Sequence, residues 1–354
     1  HSHALVLRLW AMHPKRRPRG LITLVNRHST ALYSGMVPGL VAGLYGPEEC
    51  AIDLRRLCAL TGVSFVQAEI TAVDLARQEL VLAGRPPLAW DLLSLDVGAE
   101  VDAAEGGESG EGSPAPLPVK PLEPFLAWCQ GLETPQAIAI YGGGAAAVEV
   151  ALALRHRGLK PSLRLRGDQL HLGSRAANRL GESLLQTAGV SIGRDAPASN
   201  QEPSPALACT GSRGPSWLRA SGLPTNPAGR VLTEASLQVK GLPAVFASGD
   251  CGVIDGNPRA ASGVWAVRAA PVLAANLERW LNHSARDSAS TPSPRLQPWR
   301  PQTRALQLLG DGGAISGRPM AVAFWGPFAW GPSELLWRWK QAIDQRFMEG
   351  FTGL

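Results

Sequence analysis

The stretch Ala137–Arg157, AIAIYGGGAAAVEVALALRHR, carries the residue types and spacing most suited to chemistry. An apolar β run breaks into three glycines, and an Ala-rich segment without proline follows and ends in basic residues. Gly142-x-Gly144-x-x-Ala147 has the spacing of a dinucleotide fingerprint. The first glycine permits the tight strand-to-helix turn, the second lets a pyrophosphate approach the backbone, and the small sixth residue lets helix pack on strand. The free N–H groups at the helix start then hold phosphates. The alternative is a glycine turn in an ordinary βα unit; nucleotide binding is favoured because both flanks fit.

The elements around this stretch repeat its plan. His1–Ala11 reads as a helix with Leu5, Leu9 and Trp10 on a buried face, and Leu21–Asn26 as a strand. Together they form the second half of a βαβ unit whose first strand and glycine loop are expected to precede His1, so that His1-Ser2-His3 begins the helix at its phosphate-binding end. A metal-binding H-x-H is the competing reading, but the sequence nominates no further ligands. Tyr33–Gly39 is a loop, Ile52–Leu60 a short helix, and Val63–Val73 a strand before a hairpin of Gln78–Leu82 and Ala89–Leu95. Asp91–Gly98 is a buried strand ending in glycine, and Ala103–Pro118 a loop by composition.

Pro121–Leu132 is expected to be a helix leading into the fingerprint, Leu163–Leu165 the next strand and Ala176–Ala188 the next helix. Leu207–Gly211 is a second strand ending in glycine. A hairpin (Arg230–Thr233, Leu237–Val239), the run Ala244-Val-Phe-Ala-Ser-Gly-Asp250 and a long helix Ser262–Leu281 follow. Asn282–Pro301 is a connector; two β segments (Ala305–Leu309, Met320–Trp325) and a helix Ser333–Phe351 close the chain. An incomplete βαβ unit, a strand to glycine, a complete βαβ unit and a second strand to glycine amount to an internal duplication. That order implies two dinucleotides on one polypeptide, and an α/β fold of two Rossmann-like, three-layer domains with a small C-terminal strand-and-helix region.

The 354 residues suffice for two or three domains; 45% are hydrophobic and 18% charged, as in a globular chain. The net charge of +5 is modest and scattered apart from Lys15-Arg16-Arg17, which does not support nucleic-acid binding. The five cysteines form no C-x-x-C, so they fit small buried residues in a reducing, cytoplasmic compartment. No apolar run is long enough to span a bilayer.

Taken in order, these motifs resemble two-dinucleotide-binding-domain flavoproteins, especially type II NADH:quinone oxidoreductases. Pro243-Ala-Val-Phe-Ala-Ser-Gly-Asp250 is similar to that family's second flavin motif, Leu92–Gly98 and Leu207–Gly211 to its strand-to-glycine crossovers, and GGGAAAVE (Gly142–Glu149) to its NADH fingerprint. The tail Trp337–Met348 resembles its W-x-K-x-x-x-D-x-x-F pattern. More narrowly, HSHALVLRLWAM, YSGMVPGLVAGLY, IDLRRL and LLSLDVG resemble the flavoprotein module fused ahead of selenophosphate synthetase (selenide, water dikinase), so a fused synthetase domain is a further expectation.

The resemblance implies FAD held by residues 1–120 with 223–290, NADH or NADPH by 121–222, and a C-terminal region at 291–354. Flavin contacts are expected at His1, Ser2, His3, Asn26, Gly35, Met36, Gly98, Gly249, Asp250, Trp265 and Ala266. Coenzyme contacts are expected at Gly142, Gly144, Ala147, Asp168 and Gly211, with Glu149 as the catalytic residue beside the nicotinamide. Asp250 would hydrogen-bond the ribityl chain, or else cap a helix; Glu149 would position the carboxamide, or else face solvent. Asn26 stands where a carboxylate usually binds the adenosine ribose. Asp168 would favour NADH, whereas Arg166 would suit a 2′-phosphate, so both coenzymes stay open. The implied reaction is hydride transfer to flavin and on to a quinone or other small acceptor; the alternatives are a redox or electron-delivery module of a selenophosphate synthetase fusion and a non-catalytic nucleotide-binding scaffold. Cys251 lacks a partner cysteine and reads as a small buried residue. The final helix places Leu336, Trp339, Ile343 and Phe347 on one stripe with Arg338, Lys340 and Arg346 elsewhere; it could lie on a membrane surface, cover the acceptor pocket or pack as core.

Overall fold

A computed structural model describes residues 1–101, 115–194, 205–284 and 294–354. Most of the loop expected at Ala103–Pro118 and part of the connector at Asn282–Pro301 lie outside the described residues.

The fingerprint unit is a five-stranded parallel sheet in the spatial order Leu117–Pro118, Ala206–Ala208, Ala137–Tyr141, Lys160–Leu165, Ser191–Arg194. Ile138, Ile140, Leu163 and Leu207 have almost no exposure, the continuous apolar reading of strands covered on both faces. The helix Ala145–His156 follows the glycines, and Val148 and Val150–Leu154 are buried along it. Arg155 and His156 end it, favourably placed against its carboxyl-terminal dipole. The next helix, Arg175–Thr187, starts where Ser174 Oγ accepts from Ala177 N–H at 3.1 Å. From Ala137–Tyr141 the chain builds strands to one side, then returns to lay Ala206–Ala208 on the other. This reversal is the topological switch point at which open α/β sheets bind ligands.

The first unit is more divided. The helix Ser2–Met12 leads to Thr23–Asn26, which pairs in parallel with Ser64–Gln67 across the helix Leu54–Thr61. Asp53 caps that crossover helix through Arg56 N–H, and Gly62 ends it in the left-handed region at φ +62°. A separate sheet runs Gly252–Ile254, Val231–Thr233, Gln238–Val239, Leu242–Ala247, Leu93–Leu95, with the last two parallel. Ser2–Met12 packs on the long helix Gly263–Ser284 in one buried cluster containing Leu5, Trp10, Ala270 and Leu273.

Several expected elements differ. Val63–Val73 is two strands, Ser64–Gln67 and Ile70–Asp74, because the backbone turns at Ala68–Glu69 and Ala68 N–H donates to Asn26 O. Ile70–Asp74 joins Glu79–Leu82 and Arg85–Ala89 in a three-stranded meander, rather than leaving a simple hairpin. Within the expected Tyr33–Gly39 loop, Val37–Val41 forms a helix with Pro38 in its first turn. The C-terminal sheet has a third strand, Phe328–Ser333, beside Gln307–Gly310 and Ala321–Trp325.

The final helix, Glu334–Thr352, divides the expected stripe, with Leu336 and Phe347 packed against the first unit's core and Trp339 and Ile343 turned outward. Trp339 and Ile343 are 49% and 44% exposed, while Trp337, Lys340, Asp344, Met348 and Phe351 are buried. Lys340 and Asp344 can enter the interior because they neutralise each other one helical turn apart. Residues 294–354 contribute to two cores at once: Leu309, Val322 and Phe324 to the fingerprint sheet's, and Trp337, Met348 and Phe351 to the first unit's.

Candidate functional site

Gly142 stands at φ +136°, and a Cβ there would lie 2.5 Å from the carbonyl oxygen of Cys209. Only glycine lets the end of Ala137–Tyr141 pass this close to the end of Ala206–Ala208. Gly144 is the N-cap residue of the fingerprint helix, with φ −83°, no side-chain cap and open space where a Cβ would stand. The first-turn N–H groups therefore meet no capping side chain and no acidic residue, a donor set that fits a pyrophosphate. Ala147 is fully buried at the helix–strand contact, as its position in the fingerprint requires. Gly142 N–H donates to Arg164 O (3.0 Å) and His171 N–H to Gly143 O (2.8 Å), which staples the turn after Lys160–Leu165 across the glycine loop. Asp168 lies exposed on that turn, its carbonyl held by Arg194 Nε at 2.7 Å, and Gly211 is exposed beyond the switch-point strand.

In the first unit Ser2, Gly249, Asp96 and Ala266 converge. Ser2 is fully buried and donates through Oγ to Ala266 O at 3.3 Å; a Cβ on Gly249, at φ +65°, would run into Asp96. Asp250 follows on a short 3-10 turn, and its Oδ2 accepts from Lys120 Nζ at 2.7 Å. This ion pair joins the two units. Lys120 follows Val119, whose N–H donates to Ala208 O, next to the cysteine that contacts Gly142.

The residues fit FAD better at its ribityl end than at its adenosine end. Asp250 offers a carboxylate already aimed by a cation, and it follows Gly249, whose positive φ turns the chain at the strand end. His3 N–H instead donates to Asp96 Oδ2 (3.0 Å), and the ring of His3 bonds Ser94 Oγ at 2.8 Å. His1 Nε2 accepts from Ser34 N–H. Asn26 spends its amide on His28 O at 2.7 Å, within its own turn. Gly98, at φ +75°, has open space around it. Met36 is 2% exposed and packs in the first unit's core, while Trp265 lines a small cavity together with Gly249, Ser248 and Arg230, the guanidinium groups of Arg259 and Arg268 lying 5.2 and 5.5 Å from its ring centroid.

A second bridge between the units centres on Glu149. Its Oε1 accepts from Gly310 N–H at 3.2 Å, so it faces the C-terminal sheet and not bulk solvent. Burial pushes its carboxyl up to about 7, against the opposing pull of Lys340 and the Gly310 bond. Lys340 Nζ donates to Asp344 Oδ2 (2.7 Å) and to Gly35 O (2.8 Å), tying the final helix to the Tyr33–Gly39 segment. Tyr33 hydrogen-bonds Asp344 and stacks on Phe347 with ring centroids 4.3 Å apart. Burial raises Asp344 above the ordinary carboxylate range and raises the Tyr33 phenol as well. Lys120 and Asp96 were not singled out from the sequence, whereas Lys340 and Asp344 are the lysine and aspartate of the W-x-K-x-x-x-D-x-x-F tail pattern. All five cysteines are free and buried, and burial pushes the Cys251 thiol up to about 12, away from thiolate chemistry.

The sequence profile of the pyridine nucleotide-disulphide oxidoreductase family matches residues 9–270, and the chain belongs to that family. Among curated proteins it is 28% identical over 261 residues to the demethylphylloquinone reductase NdbB of Synechocystis sp. The match covers 65% of this chain and 64% of that protein, less than two thirds of the relative's length. Among solved structures it is similar to the ferredoxin reductase of the CYP199A2 system from Rhodopseudomonas palustris, with TM-score 0.70 and 16% identity over 92% of this chain and 86% of that one. The sulfide:quinone oxidoreductase of Aquifex aeolicus gives TM-score 0.69 and 16% identity over 99% and 89%. These likenesses establish the two-unit Rossmann-like α/β fold.

Proposed function

We propose that this chain is an FAD-dependent NAD(P)H oxidoreductase that passes electrons to a quinone or similar small acceptor. The observation that carries the reading is the Lys120–Asp250 pair, which puts the carboxylate of the first unit against the segment entering the fingerprint sheet. The two nucleotide grooves thereby share a wall. FAD is assigned to residues 1–120 and 223–290, the coenzyme to 121–222, and 291–354 form a C-terminal strand-and-helix region.

Bound FAD would supply two-electron chemistry, accepting hydride from the nicotinamide and returning electrons to the acceptor. Asp250 would accept a hydrogen bond from a ribityl hydroxyl, with Lys120 holding that carboxylate in place. The amino-terminal end of Gly263–Ser284 contributes a positive dipole to the flavin side of the site. Gly142 and Gly144 admit the coenzyme pyrophosphate. Glu149, with its carboxyl near neutrality, would hold a proton at the nicotinamide side.

The acceptor side is assigned to the C-terminal region. Trp325, Phe328, Trp330, Trp339 and Ile343 are exposed there, with Arg338 and Arg346 also outward. Aromatic and basic groups on one region suit peripheral contact with a bilayer that carries quinone. No helix among the described residues is long and apolar enough to cross a membrane. Anaerobic reduction of the flavin-loaded protein by NADPH or NADH, followed by a quinone chase, tests the main reading. Flavin that stays oxidised with saturating coenzyme would defeat it.

A further inference from the structure

We infer that Arg230 is a positioning residue that shapes residues 249–259 without help from FAD, so that Asp250 is already set for the ribityl chain; this rests on the oxidoreductase reading above. Arg230 stands just before the strand Val231–Thr233 and is 8% exposed. Its guanidinium donates through Nε to Asp250 O at 2.8 Å, through Nη1 to Arg259 O at 2.5 Å and through Nη2 to Gly252 O at 2.5 Å. One planar fork thus closes three carbonyls of a single segment onto one point. A lysine ammonium, with its three donors on one nitrogen, does not span that arrangement.

The clamp is anchored outside the segment it holds. Arg230 N–H donates to Asn226 Oδ1 and Asn226 N–H to Arg230 O, both at 2.9 Å, and Gly214 N–H donates to Ala228 O in the same turn. A Cβ on Gly214 would lie 2.2 Å from Gly229 O, so the turn is pressed against the segment that leaves the coenzyme unit. At its other end the clamp reaches the flavin side. Asp250 carries the carboxylate paired with Lys120, and the guanidinium of Arg259 lies 5.2 Å from the ring centroid of Trp265, in the first turn of Gly263–Ser284. Burial disfavours the charge of Arg230, and the Asp250 carboxylate offsets part of that cost. Among the described residues no carboxylate forms an ion pair with Arg230, so its donors go to backbone carbonyls and fix their geometry.

The test measures FAD affinity by fluorescence titration, and amide hydrogen exchange in the FAD-free chain, for the parent, Arg230→Met and Arg230→Lys. Arg230→Met should weaken FAD binding by about tenfold or more, the scale of hydrogen bonds to a charged group. Without FAD, the amides of Asp255 and Asn257, bonded to Thr233 O and Ile254 O, should exchange about tenfold faster or more in that variant. Amides of the strand Lys160–Leu165 should keep their parental rates. Arg230→Lys should show smaller losses of both kinds, and the visible circular dichroism of its bound flavin should lie between those of the parent and Arg230→Met. Parental FAD affinity, or parental exchange at Asp255 and Asn257, in Arg230→Met would overturn the assignment. Faster exchange in every element would overturn it too, since that marks general destabilisation. Should Arg230→Met fail to fold, parental values in Arg230→Lys would overturn it. A parent chain that binds no FAD would defeat the oxidoreductase reading, while exchange at Asp255 and Asn257 would still decide whether Arg230 shapes the segment.

Discussion

Lys120 Nζ lies 2.7 Å from Asp250 Oδ2, joining residues 130 positions apart and belonging to different units of the fold. The pair is partly buried, with side-chain exposures of 27% and 15%, so neither charge is fully screened by water. Replacing Asp250 with Asn should weaken FAD retention by about tenfold or more, because a charged acceptor becomes a neutral amide. Lys120→Met should weaken it too, by leaving Asp250 without its cation. Flavin dissociation constants for the two variants and the double variant check this; independent, additive losses would mean that the pair does not act as a unit.

The two fingerprint glycines should separate folding from binding. Gly142→Ala drives a Cβ into the Cys209 carbonyl at a positive φ, and should cost several kcal/mol or prevent folding. Gly144→Ala has room and an ordinary φ, so thermal stability should fall by no more than about 1 kcal/mol while coenzyme affinity drops. Calorimetric melting alongside nucleotide binding distinguishes the two.

Lys340 and Asp344 should behave as a buried pair. Their side chains are 10% and 6% exposed, so Lys340→Met or Asp344→Leu alone should destabilise by about 3–5 kcal/mol. The double substitution should recover much of the loss, since no charge is then left unpaired. Urea unfolding of the single and double variants measures the coupling. If either single variant is as stable as the parent, the pair does not hold the final helix.

The Glu149 carboxyl supplies a pH signature. Its folded value, about 7, lies above the ordinary glutamate range, so the folded state binds its proton more tightly than the unfolded one. Its contribution to stability is therefore fully present below about pH 4.5 and is lost as pH rises through about 7. Glu149→Gln should remove that decline, flattening the pH dependence of Tm between those limits. Parallel Tm profiles for parent and variant would show that Glu149 does not titrate there.

The exposed aromatic groups of the C-terminal region should carry membrane contact. Flotation with anionic phosphatidylglycerol vesicles should retain the parent protein, and Trp339→Glu with Ile343→Glu should release it without altering its Tm. Equal flotation of both proteins would remove these two side chains from any docking face.

Much of this arrangement was legible because its pattern is local. The fingerprint strand, helix and following strand are continuous apolar runs around glycines, and their packing obeys that pattern. The break at Ala68–Glu69 was hidden because the turn uses neither glycine nor proline. The strand Phe328–Ser333 was hidden for the opposite reason, since its Gly331 and Pro332 read as loop. The inward face of the final helix departed in part from its hydrophobic stripe, because a lysine and an aspartate can enter a core as a pair that no apolar periodicity reports. Lys120 could not be matched with Asp250 from sequence, as only the assembled fold brings them together.

The central claim is that one polypeptide brings a nicotinamide and a flavin ring into direct contact. It is tested most directly by loading the protein with 5-deaza-FAD and reducing it anaerobically with C4-deuterated NADH or NADPH of each stereochemistry. One of the two stereoisomers should deliver its deuterium to the deazaflavin C5 without exchange with water. Protium from solvent at that carbon, or no reduction with the deazaflavin bound, would contradict the account.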